Sequence, residues 1–150
     1  MSALDNITSE SARIAHVIGL SHPKLISNQI LARRVAKGLP PSTAGVLARY
    51  IDPKGHTVVA MDIVPKTTLH THTKSKRNLS KDHSEVVYVL GKVVAESFRL
   101  LRDPEKVLTF LTKPHPMLEG DSPFELAKSS VAGAEVVMNL LANADAGTAV

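Results

Sequence analysis

The chain contains no cysteine and no tryptophan, and only 2 tyrosines and 3 phenylalanines. The first absence excludes disulfides, thiolate metal sites and cysteine nucleophiles together. The shortage of aromatics leaves Val, Leu, Ile and Ala to build the core, which suits closely packed short helices. No apolar run approaches the roughly 20 residues that span a bilayer, and residues 1–10 lack the basic-then-apolar layout of a secretion signal. The expectation is a cytoplasmic protein with no membrane partner. At 150 residues there is room for one modest core, or for two small helical subdomains that share one.

What is present is ordinary in amount and uneven in placement. Hydrophobic residues make up 43% and charged residues 21% of the chain, values of a folded globular protein. The formal net charge is +4, but residues 1–102 hold 15 Lys/Arg against 7 Asp/Glu and residues 103–150 hold 3 against 7. A basic front joined to an acidic tail points to two partners, one of them polyanionic.

Turn and cap signals divide the chain into about eight helical segments, with no alternating β-branched run to suggest a strand. An all-α fold is predicted. A first helix is expected near Ser11–Gly19 and a second from Pro23 to about Gly38. Ser42 can cap a third through Ile51. Asp52-Pro53 starts another to about Ile63, and a short one follows from Pro65 to about Thr73. Ser80 then caps a long helix in which Val87, Leu90, Val94, Phe98 and Leu101 lay down one apolar stripe. Asp103-Pro104-Glu105 opens the next helix, and Lys113-Pro114-His115-Pro116 has to leave it. Ser122-Pro123-Phe124-Glu125 reads as a capping box. The last helix runs from about Ser130 to Asp145 with Ala134, Val137, Met138, Leu141 and Ala144 on one stripe. No internal repeat is found.

Three short helices with tight connections before a basic segment have the layout of a helix-turn-helix unit. Between Ile63 and Lys81 there are five cations, Lys66, Lys74, Lys76, Arg77 and Lys81, and no acid. Thr67, Thr68, His70, Thr71, His72 and Thr73 are interleaved with them. Cations neutralise phosphate and short hydroxyls donate without bulk, so Lys66, Thr67, Thr68, His70, Thr71, Lys74, Lys76 and Arg77 are the candidate DNA-binding residues. The same polarity would also suit a merely solvated helix. No Arg, Asn or Gln stands on the expected helix for bidentate base contacts, so phosphate contact is the stronger expectation. His70 and His72, two apart on a helix, diverge and lack a third ligand, so no metal is expected. His16, His22, His56, His83 and His115 are scattered.

Leu111-Thr-Lys-Pro114-His-Pro116-Met-Leu118-Glu-Gly120-Asp-Ser-Pro123-Phe-Glu-Leu126, followed by Gly133, Val136 or Val137, Leu140-Leu141 and Gly147, resembles the toxin-binding domain of Xre/MbcA/ParS antitoxins. That family shows a Trp-Leu helix end, a Pro-x-Pro-x-Leu-Gly-Gly loop, a Pro-x-x-Leu helix start and a closing Leu-Leu with Gly. Upstream, Gly38-Leu39-Pro40, Ile63-Val-Pro-Lys66-Thr-Thr68-Leu69 and Leu79-Ser80 look like the helix-turn-helix landmarks of the same family. The resemblance therefore spans about residues 38–150. This chain departs from the pattern at Phe110 in place of Trp, at Glu119 in place of the first Gly, and in having no aromatic after Gly147.

The resemblance implies three parts: a helical extension over 1–37, a helix-turn-helix unit with its long connecting helix over 38–102, and a toxin-binding domain over 103–150. It implies an antitoxin, no enzyme and without cofactor, that covers the active-site entrance of a RES-domain toxin, an NAD-degrading relative of ADP-ribosyltransferases. It also implies a homodimer that binds the promoter of its own operon. Toxin contacts are then expected at Pro114, Pro116, Met117, Leu118, Gly120, Asp121 and Pro123, in a loop whose prolines leave little entropy to lose on docking, and at the tail Gly147, Thr148, Ala149 and Val150. From the residues alone, the prolines could equally just end helices while Met117 and Leu118 fill the core. A stand-alone helix-turn-helix repressor with a dimerising or ligand-sensing C-terminal domain is the rival reading. No nucleophile, metal or phosphate motif supports an enzymatic one.

Overall fold

In the computed structural model, which describes residues 3–145, eight α-helices and four 310 turns account for the secondary structure and no strand occurs among the described residues. The helices are α1 (Glu10–Val17), α2 (Asn28–Lys37), α3 (Ser42–Ile51), α4 (Lys66–Lys74), α5 (Lys81–Leu101), α6 (Pro104–Thr112), α7 (Pro123–Ser129) and α8 (Val131–Asp145). The all-α expectation holds. None of these helices is long and apolar enough to cross a membrane.

Side-chain caps fix most of the helix starts. Ser9, Ser27, Ser80, Asp103 and Ser122 each accept a backbone N–H from the first turn of α1, α2, α5, α6 and α7, satisfying donors that would otherwise have no partner. At α7 only half of the expected capping box forms. Ser122 Oγ accepts from the Glu125 amide, while the Glu125 carboxylate turns to Lys128 Nζ at 3.3 Å.

Two expected helices are corrected. The segment from Pro23 is a 310 turn over Pro23–Leu25 that breaks before α2. Ser11 Oγ donates to the Ile26 carbonyl at 2.9 Å, holding Ile26 in extended backbone, and Ser27 then begins α2 afresh. The segment from Asp52 to Ile63 is a loop with one 310 turn, Ala60–Asp62. The Asp52 carboxylate, instead of capping a helix, folds over the loop and accepts the amides of Thr57 at 2.7 Å and Val58 at 3.1 Å. The three tightly connected helices expected here are therefore two, α3 and α4, with residues 52–65 between them. Ser42 is the first residue of α3, behind Pro41 at the cap position.

Helix α5 is the central member and packs against α1, α2, α3, α6, α7 and α8. Its expected stripe is buried at Val87, Leu90, Val94 and Phe98, with Leu101 half-buried. The helix also buries both flanks of that stripe, Ser84, Gly91 and Ala95 on one and Val93 and Ser97 on the other. Gly91 is what lets α1 approach, since a Cβ there would lie 2.8 Å from Cγ2 of buried Ile18. Stripe and flanks feed one continuous apolar core that includes Ile14, Leu47, Leu111, Phe124, Val137 and Leu141. Two buried hydroxyls find backbone partners inside it: Ser84 Oγ accepts the Leu39 amide and Ser97 Oγ donates to the Val93 carbonyl, each at 2.8 Å.

Candidate functional sites: a proline-stiffened loop and a basic helix

The C-terminal loop is built around His115. Its amide donates to the Asp121 carbonyl at 3.0 Å, and its own carbonyl accepts the amides of Leu118 at 3.0 Å and Gly120 at 3.2 Å. Its ring Nδ1 accepts the Met117 amide at 3.1 Å, and the ring meets Phe110 edge-on with centroids 6.1 Å apart. Sequence reasoning leaves His115 among the scattered histidines, because a histidine between two prolines gives no local signal of this role.

That network presents the nominated residues unequally. Pro114, Pro116, Met117, Gly120 and Asp121 are all exposed, with Met117 at 60%. Leu118 is 5% exposed and belongs to the core, and Pro123 is buried at the start of α7. The two readings of Met117 and Leu118 thus divide between them: one faces out, the other fills the core. Gly147, Thr148, Ala149 and Val150 lie outside the described residues.

Behind the loop lies an open cleft of about 560 Å³ whose apolar wall is Leu101, Phe110 and Pro114 and whose rim carries Asp103, Lys106 and Lys113. Asp103 is already engaged as the cap of α6.

The basic stretch sits on α4 and the turn after it. At 100° per residue, Lys66, Thr67, His70, Thr71 and Lys74 share one face, and all five are exposed. Thr68 and Leu69 are half-buried, Leu69 being turned inward against the core. His72 turns back: its Nδ1 lies 2.7 Å from the Asn78 carbonyl, an acceptor, so this nitrogen carries the proton. His70 and His72 therefore do not form a pair, and among the described residues no three metal-binding side chains come together. Lys76 and Arg77 lie on the turn, where Lys76 adopts a left-handed backbone with φ of +55° and Arg77 Nε donates to Ser75 Oγ at 3.1 Å. A groove of about 430 Å³ runs between α3 and α4 and is lined by Arg49, His72 and Lys76 among others. Arg49, on α3, is missed by sequence reasoning because no pattern ties it to the 66–77 segment.

Compared with known families, residues 97–147 match the model of the antitoxin Xre/MbcA/ParS C-terminal toxin-binding domain. The last third of the chain is an Xre/MbcA/ParS toxin-binding domain. No curated protein matches the chain. The match begins inside α5 and takes in α6, the His115 loop, α7 and α8. The landmarks noted over residues 38–80 lie upstream of it. A toxin-binding domain supports an antitoxin role and implies a protein toxin as partner.

The domain's sequence pattern acquires a physical reason here. Its loop carries Gly-Gly where this chain has Glu119-Gly120, and both positions have positive φ, +56° and +89°. Glycine adopts that conformation without strain; Glu119 does not. Gly133 has a second reason. A Cβ on it would lie 2.1 Å from the Leu126 carbonyl oxygen, so only glycine lets α8 start this close to α7.

Proposed function

We propose that this chain is the non-catalytic antitoxin of a RES-domain, NAD-degrading toxin, that it covers the toxin's active-site entrance with its C-terminal domain, and that it binds its own promoter through α4. On this reading residues 1–37 are a helical extension, 38–102 the helix-turn-helix unit with its connecting helix, and 103–150 the docking module.

The observation that carries the proposal is the toxin-binding-domain match at 97–147 over a loop whose exposed residues are pre-shaped. Pro114 and Pro116 fix backbone, His115 closes the loop by four hydrogen bonds, and Met117 projects from it. Docking such a loop orders little that is not already ordered. The DNA part is supported by the acid-free outward face of α4, with lysines for phosphate and threonines for short hydrogen bonds. A homodimer would present that face twice, once per half-site.

The test is co-expression with a RES-domain toxin encoded beside it, with cellular NAD as the readout. NAD is preserved when the chain is present and depleted when it is absent. Equal depletion in both cases overturns the proposal, and failure to co-purify with any toxin favours the stand-alone repressor.

A further inference from the structure

Residues 11–51 contain six Lys/Arg and no Asp or Glu, an imbalance that neither the toxin-facing loop nor α4 uses. Arg13 is absorbed by the carbonyls of Ile7 and Thr8. On α2, Leu31 and Val35 face the core, and the opposite side carries Arg33 and Lys37 with Arg34 at its flank. All three are exposed, and no carboxylate pairs with them among the described residues. Glu10 and Glu85 line a groove with Asn28, Ala32 and Tyr88 on a different side of the helix.

The C-terminal end of α2 is joined to the turn that follows α4. A Cβ on Gly38 would lie 2.2 Å from the Leu79 carbonyl oxygen and 3.2 Å from Cβ of Asn78. The Leu79 amide donates to the Leu39 carbonyl at 2.8 Å, and the Leu39 amide donates to Ser84 Oγ at 2.8 Å. Lys37 thus stands one residue from a backbone joint whose other side is Arg77-Asn78-Leu79. The cations of α2 and those of the 74–77 turn are held on either side of this joint by atoms that cannot separate without breaking it.

We infer that α2 is a second nucleic-acid contact, with Arg33, Arg34 and Lys37 binding the phosphate backbone of the same duplex that α4 engages, so that the footprint is wider than one helix. This rests on the DNA reading above. Two unpaired basic surfaces fixed to one another fit an extended, regularly charged rod; an acidic protein surface gives no reason for the second patch to adjoin the first.

The experiment measures binding of the full chain to a duplex DNA of arbitrary sequence across a salt series, for the wild type and two triple variants. One is Arg33→Gln, Arg34→Gln and Lys37→Gln on α2; the other is Lys66→Gln, Lys74→Gln and Arg77→Gln around α4. Glutamine keeps the helix and removes the charge, and circular dichroism checks the fold of each. The expected result is that the α2 variant loses more than tenfold in affinity at low salt. Its slope of log K against log salt should flatten by roughly 2 to 3, at about 0.9 for each phosphate that the variant no longer neutralises. If the α4 variant weakens and the α2 variant binds like wild type, the inference falls while the DNA reading stands, and the α2 patch belongs to an acidic protein. If the wild type binds no duplex at any salt, both fall.

Discussion

Gly133, in the first turn of α8, lies against the Leu126 carbonyl of α7, with only 2.1 Å between that oxygen and the place a Cβ would take. The backbone oxygen cannot swing aside as a side-chain tip could. Gly133→Ala is therefore expected to push α8 off α7 and to lower stability by about 1–3 kcal/mol. Thermal unfolding followed by circular dichroism measures it, and an unchanged midpoint would refute the close-approach argument.

Glu119 should behave in the opposite sense. It is held at φ +56° with ψ +32°, where a side chain is strained, and it is exposed with no packing to lose. Glu119→Gly relieves that strain and gives back part of the gain as chain entropy, leaving a net stabilisation of up to about 1 kcal/mol. A rise in the urea midpoint is the expected outcome.

Met117 and Leu118 separate binding from folding. Leu118→Ala opens a cavity in the core and is expected to cost about 2–5 kcal/mol. Met117→Asp changes an exposed side chain and is expected to leave stability within about 0.5 kcal/mol while reducing co-purification with the toxin. Denaturant melts and pull-downs on both variants check the pair. A Met117→Asp protein that binds toxin as well as wild type would take Met117 out of the interface.

Asp52 gives the fold an acid-sensitive joint. The bond from the Thr57 amide, opposed by burial and reinforced by the amides of Val58, Gly55 and Lys54, holds its pKa below the usual carboxylate value. Because the folded pKa is the lower one, the stabilisation is fully present above the unfolded value near 4 and is lost as pH falls through the folded value. Asp52→Ala should cost about 1–3 kcal/mol at neutral pH, with a smaller difference between variant and wild type in acid. Urea midpoints at pH 7 and pH 3 test both parts.

The segments that could be read from sequence are those whose signals are local. Ser80, Asp103-Pro104 and Ser122-Pro123 start their helices as expected, because a cap acts within its own first turn. The Pro-x-Pro loop leaves α6 for the same reason. Asp52-Pro53 misleads because an aspartate before proline can cap either a helix or a loop; which amides it meets depends on Thr57 and Val58 coming back toward it. The break at Ile26 depends on Ser11, an element away. Distant partners also hide the buried flanks of the α5 stripe and the groove position of Arg49. On α4 most of the nominated polar side chains do face out, because the helix carries a single apolar residue, Leu69, to turn inward.

The position of α5 has a consequence for the lifetime of the protein. The toxin-binding domain begins in its last turns, yet the helix as a whole packs against α1 and α3 as well as against α7 and α8. Loss of α1–α3 or of α6–α8 would uncover apolar residues of α5, leaving the remainder with a bare oily flank of the kind that quality-control proteases recognise.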